Sequence, residues 1–207
     1  NQRHTATVLS LFLRVLSHRL AKFPVPDSVW DEYHIDQEIN DRGVRLDMDL
    51  VQKAIEMDTR SRTELTASMK KLTALDNPNS VQQMKQWLSE NGLETDTLGK
   101  KAVAELLKTA SPELQTVLTL RQQLAKSSVR KYQTMERAAC DDGRAHGCFA
   151  FYGANRTGRW AGRLIQLQNL PQNHLEDLAD ARALVKSGDF DAVKMLYEDV
   201  PDTLSQL

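Results

Sequence analysis

The sequence predicts a mainly α fold, built of long antiparallel helices with one small β segment. Three observations carry this. Apolar residues recur at steps of three and four over most of the chain. Aromatic residues make up 6% of the 207, with 9 Gly and 6 Pro, which is sparse for a sandwich or barrel. Alternation of the strand kind runs once, from Ala145 to Gly153.

The first helix is expected over residues 5–22, where Val8, Leu9, Leu11, Phe12, Val15 and Leu16 are apolar. Pro24 and Pro26 break it and leave a short linker. Asp27 fits as the N-cap of a second helix ending near Arg42, and Gly43 is its left-handed stop. Asp47 caps a third helix reaching about Leu75. Val51, Ile55, Leu65, Met69 and Leu72 form its apolar stripe, interrupted by Asp58 and Arg62.

Asp76–Asn79 reads as a turn. Ser80 with Gln83 matches a capping box, and Gly92 closes that helix. A short helix follows over about Thr97 to Lys108. Ser111-Pro112 then opens a helix in the usual cap-then-proline manner. This one is expected to run unbroken to about Ala139, roughly 40 Å at about 1.5 Å per residue. Its spacing places Lys126, Arg130 and Arg137 on one basic face.

After Asp141-Asp142-Gly143 the period changes to that of a strand, with a second extended piece expected near Leu164 to Leu170. Residues 174–187 and 189–198 read as helices separated by Gly188. The chain starts without Met and stops in mid-pattern at Leu207, so it reads as part of something longer.

Charge is unevenly distributed. The net formal charge is −1, yet residues 114–175 carry nine basic and three acidic side chains, a local +6. No Asp or Glu occurs from Gly143 to Leu175, where Arg144, Arg156, Arg159 and Arg163 stand. Arginine forks suit phosphate, and the amides of Gln and Asn suit base edges, so the pattern points to an anionic partner.

Several chemistries are disfavoured. Cys140 and Cys148 flank His146 but have no second ligand pair, so they read as two reduced thiols rather than a zinc site. Gly153 and Gly158 have the spacing of a phosphate loop but lack its Lys and Ser/Thr. No nucleophile–His–carboxylate set stands out, and Asp141-Asp142 reads as turn capping rather than a metal pair. Asn155-Arg156-Thr157 matches a glycosylation acceptor without any sign of secretion. No run of about 18 apolar residues exists, so no membrane span is expected, and the setting is read as cytoplasmic.

Ordered motifs then carry a resemblance. Leu120–Ser128, Gly143-Arg144-Ala145-His146, Thr157-Gly158-Arg159 and Leu167-Gln168-Asn169-Leu170-Pro171 follow one another as in family A DNA polymerases, the relatives of bacterial DNA polymerase I, with a phage or prophage flavour. Upstream, Gly43–Asp47 and Asn77–Gln83 resemble that family's thumb region. The resemblance implies residues 1–26 as the tail of an exonuclease-like domain with its linker. It implies 27–142 as a helical thumb and 143–207 as the start of a palm with a helical insertion.

It further implies that Arg159 reaches the minor groove at the primer end, that Gln168 and Asn169 contact the primer–template nearby, and that Lys126 lies along the duplex backbone. With Thr157 of the same motif, and with Arg130 and Arg163 from the basic helix face and the acid-free stretch, these make up the expected DNA-binding set. Minor-groove acceptors are nearly alike for all base pairs, so donors there can sense pairing geometry without reading sequence. Two departures stand out: Trp160-Ala161-Gly162 follows the Thr-Gly-Arg, and Gln166 replaces an Asn.

The metal-binding aspartates and the fingers are not within these residues. The implied partner is primer–template DNA, with Mg2+ and deoxynucleotides belonging to a longer parent nucleotidyltransferase. The segment itself is not expected to catalyse, and no catalytic or metal-binding residue is expected on it. A free-standing helical module that binds protein through the third helix, or binds nucleic acid, is the alternative reading.

Overall fold

The computed structural model describes residues 2–127, 129–170 and 172–207, with side chains from Ser10 onward except Leu11. Among these residues the chain is mainly helical, with ten α-helices and two small antiparallel sheets, which bears out the expected fold class.

Helix α1 (Gln2–Leu20) leads to α2 (Asp27–Arg42). Asp27 opens α2 as its first residue; Pro26 is the cap position and no side chain caps it. Gly43 ends α2 at φ 67°, and its N–H donates to the Ile39 carbonyl. A Cβ on Gly43 would also press on the His146 ring at 2.9 Å, so both conformation and space require glycine. Strand β1 (Val44–Arg45) follows.

Helix α3 (Met48–Thr73) is the spine of the molecule. The Asp47 carboxylate accepts from the Leu50 N–H at 3.2 Å and starts it. Its first half packs Leu50, Val51, Ala54 and Met57 in one core, and Met69 near its end belongs to a second. Of its expected apolar stripe, Val51 and Met69 are buried, Ile55 and Leu65 are half-buried and Leu72 is exposed.

The second core is closed by α4 (Val81–Glu90), α5 (Lys100–Thr109) and α6 (Pro112–Leu124), through Met84, Leu88, Val103, Val117 and Leu118. The capping box at α4 is half formed. Ser80 Oγ accepts from the Gln83 N–H, but the Gln83 side chain accepts from Asn77 rather than turning back to Ser80.

The expected single helix from Pro112 to Ala139 is instead two, α6 and α7 (Arg130–Ala138). The break has a physical cause outside its own sequence. Arg62 of α3 donates to the Leu124 carbonyl at 3.0 Å and to the Lys126 carbonyl at 2.8 Å. Those oxygens end α6 on a guanidinium instead of continuing the helical ladder. Lys126 therefore lies outside both helices, and the continuous basic face of Lys126, Arg130 and Arg137 does not exist.

Strand β2 (Arg144–Ala145) pairs antiparallel with β1, so Val44 faces Ala145 and Arg45 faces Arg144. Strands β3 (Phe149–Ala154) and β4 (Arg159–Gly162) form a hairpin. The second extended piece expected at Leu164–Leu170 is not a strand. It is a kinked segment, with Leu164 and Gln166 both left-handed, leading into one 3-10 turn at Leu167–Asn169. The strand partner is β4, immediately before it.

Helices α8 (Leu178–Ser187), α9 (Phe190–Tyr197) and α10 (Val200–Gln206) complete the fold. Gly188 separates the first two at φ 80°, in the left-handed role its position predicts. Helix α8 begins four residues later than expected, and α10 was not foreseen. Asp199 caps α10 by accepting from the Asp202 N–H at 2.8 Å, and Pro201 sits in its first turn. Its Val200 and Leu204 fill the first core with Val185, Phe190, Val193 and Tyr132. The Tyr132 hydroxyl donates to the Leu204 carbonyl at 2.7 Å, which satisfies a buried polar group.

Candidate nucleic-acid interface

The acid-free stretch folds into the β3–β4 hairpin and the kinked segment after it. Two side chains of α2 dock the hairpin. Asn40 Oδ1 accepts from the Phe149 N–H at 2.9 Å while Asn40 Nδ2 donates to the Phe149 carbonyl at 3.2 Å. One carboxamide thus completes the backbone bonds at the start of β3. The Trp160 indole N–H donates to Asp36 Oδ1 at 2.8 Å, and Asp36 Oδ2 accepts from Asn40 and Gln37. Asp36 is only 3% exposed, and these three donors satisfy its buried carboxylate.

Helix α2 is attached to the strand corner by a third route. His146 Nδ1 lies 2.8 Å from the Asp41 carbonyl, and Nε2 lies 3.0 Å from Asp142 Oδ2. A carbonyl only accepts, so Nδ1 carries a proton; Nε2 also donates when the ring is charged. The hydrogen bond to Asp142 is the main influence raising the His146 pKa. Burial works upward on Asp142, but hydrogen bonds from the Arg144 amide and from His146 outweigh it and hold that carboxyl below its ordinary value. His146, one residue past the end of β2, acts as a structural clamp between α2 and the strand corner.

Close packing shapes the hairpin. A Cβ on Gly153 would overlap the Ala161 methyl at 2.6 Å. A Cβ on Gly162 would run into the Gln168 carboxamide, so Gln168 lies against the end of β4 because that residue is glycine. Asn169 Nδ2 donates to Gln166 Oε1 at 2.8 Å. The kink therefore folds the 3-10 turn back beside the hairpin.

The seven sequence-derived positions fall in two places. Thr157, Arg159, Arg163, Gln168 and Asn169 lie on the hairpin and its continuation, and all five are exposed. Lys126 and Arg130 lie at the α6–α7 junction, where Arg130 is exposed and Lys126 is half-buried. Lys126 Nζ is engaged by the Asp202 carboxylate of α10. It borders a cavity of about 870 Å³, together with Arg121, His174, Asp199 and Asp202. Ser128 and Pro171, which complete two of the motifs, lie outside the described residues.

Among the described residues, no ion pair involves Arg130, Arg156, Arg159 or Arg163. Elsewhere on the surface, cations such as Lys53, Arg60, Lys186 and Lys194 do meet carboxylates. The hairpin's guanidinium groups are thus presented to solvent without an internal counter-charge. Sequence reasoning missed Tyr152, Asp36 and Asn40. Only Tyr152 had a signal, lying within the alternating stretch; the anchors on α2 had none.

No protein-family model and no solved structure matches this chain. Over 195 residues, 94% of its length, it is 51% identical to a protein named DNA polymerase from Bacillus phage SP02. The chain spans 30% of the length of that curated relative. It is therefore similar to one segment of a phage DNA polymerase.

Proposed function

We propose that this chain is the primer–template-gripping part of a family A DNA polymerase, with residues 27–142 as its thumb and 143–207 as the start of its palm. Residues 1–26 are then the tail of a preceding domain. The observation that carries the reading is the exposed set Thr157, Arg159, Arg163, Gln168 and Asn169 on an acid-free hairpin whose arginines have no internal partner. The 51% identity to a segment of a phage DNA polymerase supports it.

The physical role follows from the side chains. Arg159 and Gln168 offer donors to minor-groove acceptors, which are nearly uniform across base pairs. Arg163 and Arg130 neutralise phosphates, and that attraction releases counterions and weakens with salt. The docking of the hairpin on Asp36 and Asn40 fixes these donors before DNA arrives, which lowers the ordering cost of binding.

Magnesium belongs to a longer parent in this reading. The described residues do not fit it, since no three His, Cys, Asp or Glu side chains converge on a common point. The nucleotidyl transfer of the parent, its deoxynucleotides and a cytoplasmic setting are parts of the same proposal; the segment by itself binds and does not polymerise.

The test is fluorescence anisotropy of a labelled primer–template duplex at about 50 and 200 mM salt. Binding that weakens steeply between the two, and that falls at least tenfold in Arg159→Ala with helicity unchanged, supports the reading. A folded chain indifferent to duplex at the lower salt overturns it.

A further inference from the structure

Strand β3 contains an irregularity that duplex binding does not use. Between the pairs Ala150–Ala161 and Ala154–Arg159, three residues of β3 oppose the single residue Trp160 of β4. Within this bulge Tyr152 has φ 49°, a left-handed conformation costly for a bulky side chain. Consecutive strand residues normally point to opposite faces. Here the left-handed turn brings the Tyr152 ring onto Phe151, stacked at 4.3 Å and 24°. Trp160 meets the same Phe151 ring edge-on at 5.8 Å.

The result is a three-ring cluster with Phe151 at its centre and its two outer members open. Tyr152 is 45% exposed and Trp160 is 47% exposed. Neither ring is loose. Trp160 is tied through its indole nitrogen to buried Asp36, and Tyr152 lies against Gly158, where an added Cβ would sit 3.7 Å from its ring. Backbone strain that holds large apolar rings at the surface is a mark of a binding site.

Charge selects the occupant. The rings stand on the acid-free stretch, and Arg156 at the hairpin tip is exposed without an ion pair among the described residues. The aromatic row continues to Tyr33, Trp30 and His34 on α2. That end carries Asp27, Asp31 and Glu32, which repel phosphate. A polyanion with flat, unpaired faces fits the hairpin end alone.

We propose that Tyr152 and Trp160 form a stacking site for unpaired bases of single-stranded DNA, with Arg156 holding the backbone between them. Base–aromatic stacking tolerates any base, because every base has a π-face. Paired bases are stacked on their neighbours and do not present such a face, so the site is distinct from duplex contacts at Arg159 and Gln168.

The experiment uses the whole chain and three probes: a blunt duplex, the same duplex with a single-stranded overhang carrying 2-aminopurine, and oligo(dT). The expected result is a change in 2-aminopurine fluorescence on binding and tighter binding of the overhang probe than of the blunt one. Trp160→Leu and Tyr152→Leu should each weaken overhang and oligo(dT) binding roughly five- to hundredfold. In Tyr152→Leu, which keeps the hairpin's anchor on Asp36, blunt-duplex binding should stay within about twofold. Trp160→Tyr, which restores a ring, should recover part of the loss.

Tyr152→Leu leaves the Asp36 anchor intact, so it tests stacking even if Trp160→Leu disturbs the hairpin. Unchanged overhang binding in Tyr152→Leu, or a silent 2-aminopurine, overturns the proposal. Oligo(dT) binding that depends on both rings, without any binding of blunt duplex, supports the stacking site and sinks the duplex reading instead.

Discussion

Trp160 and Asp36 stand 124 positions apart and are joined by one hydrogen bond of 2.8 Å from an indole nitrogen to a buried carboxylate. Together with Asn40 and Phe149, this contact sets where the hairpin sits on α2. Replacing Asp36 by Ala removes the acceptor for three donors at once. The expected loss is about 1.5–3 kcal/mol, the usual scale for hydrogen bonds to a charged group. Urea unfolding checks it, and an unchanged midpoint would show that the hairpin is held by other contacts.

Lys126 is restrained by Asp202, although its expected role is along the duplex backbone. Both side chains are partly exposed, at 30% and 40%, so solvent screens the pair and Asp202→Asn should cost less than about 1 kcal/mol of stability. The released ammonium becomes available to phosphate. Duplex affinity should rise by up to about fivefold, matching the scale of the pair it leaves, with a salt slope steeper by about one. Titrations of the variant at several salt concentrations decide this. Identical slopes for variant and wild type would place Lys126 away from the DNA.

Arg62 ends α6 through two carbonyls and also pairs with Asp58 at 2.8 Å. Asp58 is 13% exposed, so losing the guanidinium leaves a largely buried carboxylate without its cation. Arg62→Ala should cost at least about 2–3 kcal/mol. Lysine offers one point charge instead of a fork, so Arg62→Lys should recover only a minor part. Hydrogen exchange at residues 124–130 would show whether the break itself loosens; protection equal to wild type would rule out this role for Arg62.

The clamp between His146 and Asp142 gives a pH dependence with a definite sign. The His146 pKa is raised in the folded chain, chiefly by its hydrogen bond to Asp142. Its contribution to stability is complete below the unfolded value of about 6.5 and is lost as pH rises through the higher folded value. NMR titration of the ring should show a midpoint above that of a free histidine. His146→Gln should abolish this part of the pH dependence of unfolding. A midpoint at or below the free value would contradict the clamp.

Local features of the fold were legible where one residue decides the local backbone. Gly43 and Gly188 stop helices because they are needed at positive φ, and Asp47 starts α3 because its carboxylate reaches the Leu50 amide. The acid-free run also located an exposed, uncompensated arginine surface, since the absence of carboxylates in sequence leaves few partners nearby in space. The separation of α6 from α7 was hidden because Leu118, Leu124 and Tyr132 keep a helical rhythm across it. Buried α10 was hidden because a chain end has too few turns to show a period.

By itself, the sequence determined the mainly helical class, most helix boundaries and the basic character of the hairpin, because caps, stops and charge act within a few residues. The tertiary structure alone decided that Arg62 splits a helix, that Asp202 holds Lys126 and that Asp36 and Phe151 set two open rings beside the arginines. Those outcomes depend on side chains dozens of positions apart meeting in space, and no local pattern carries that information.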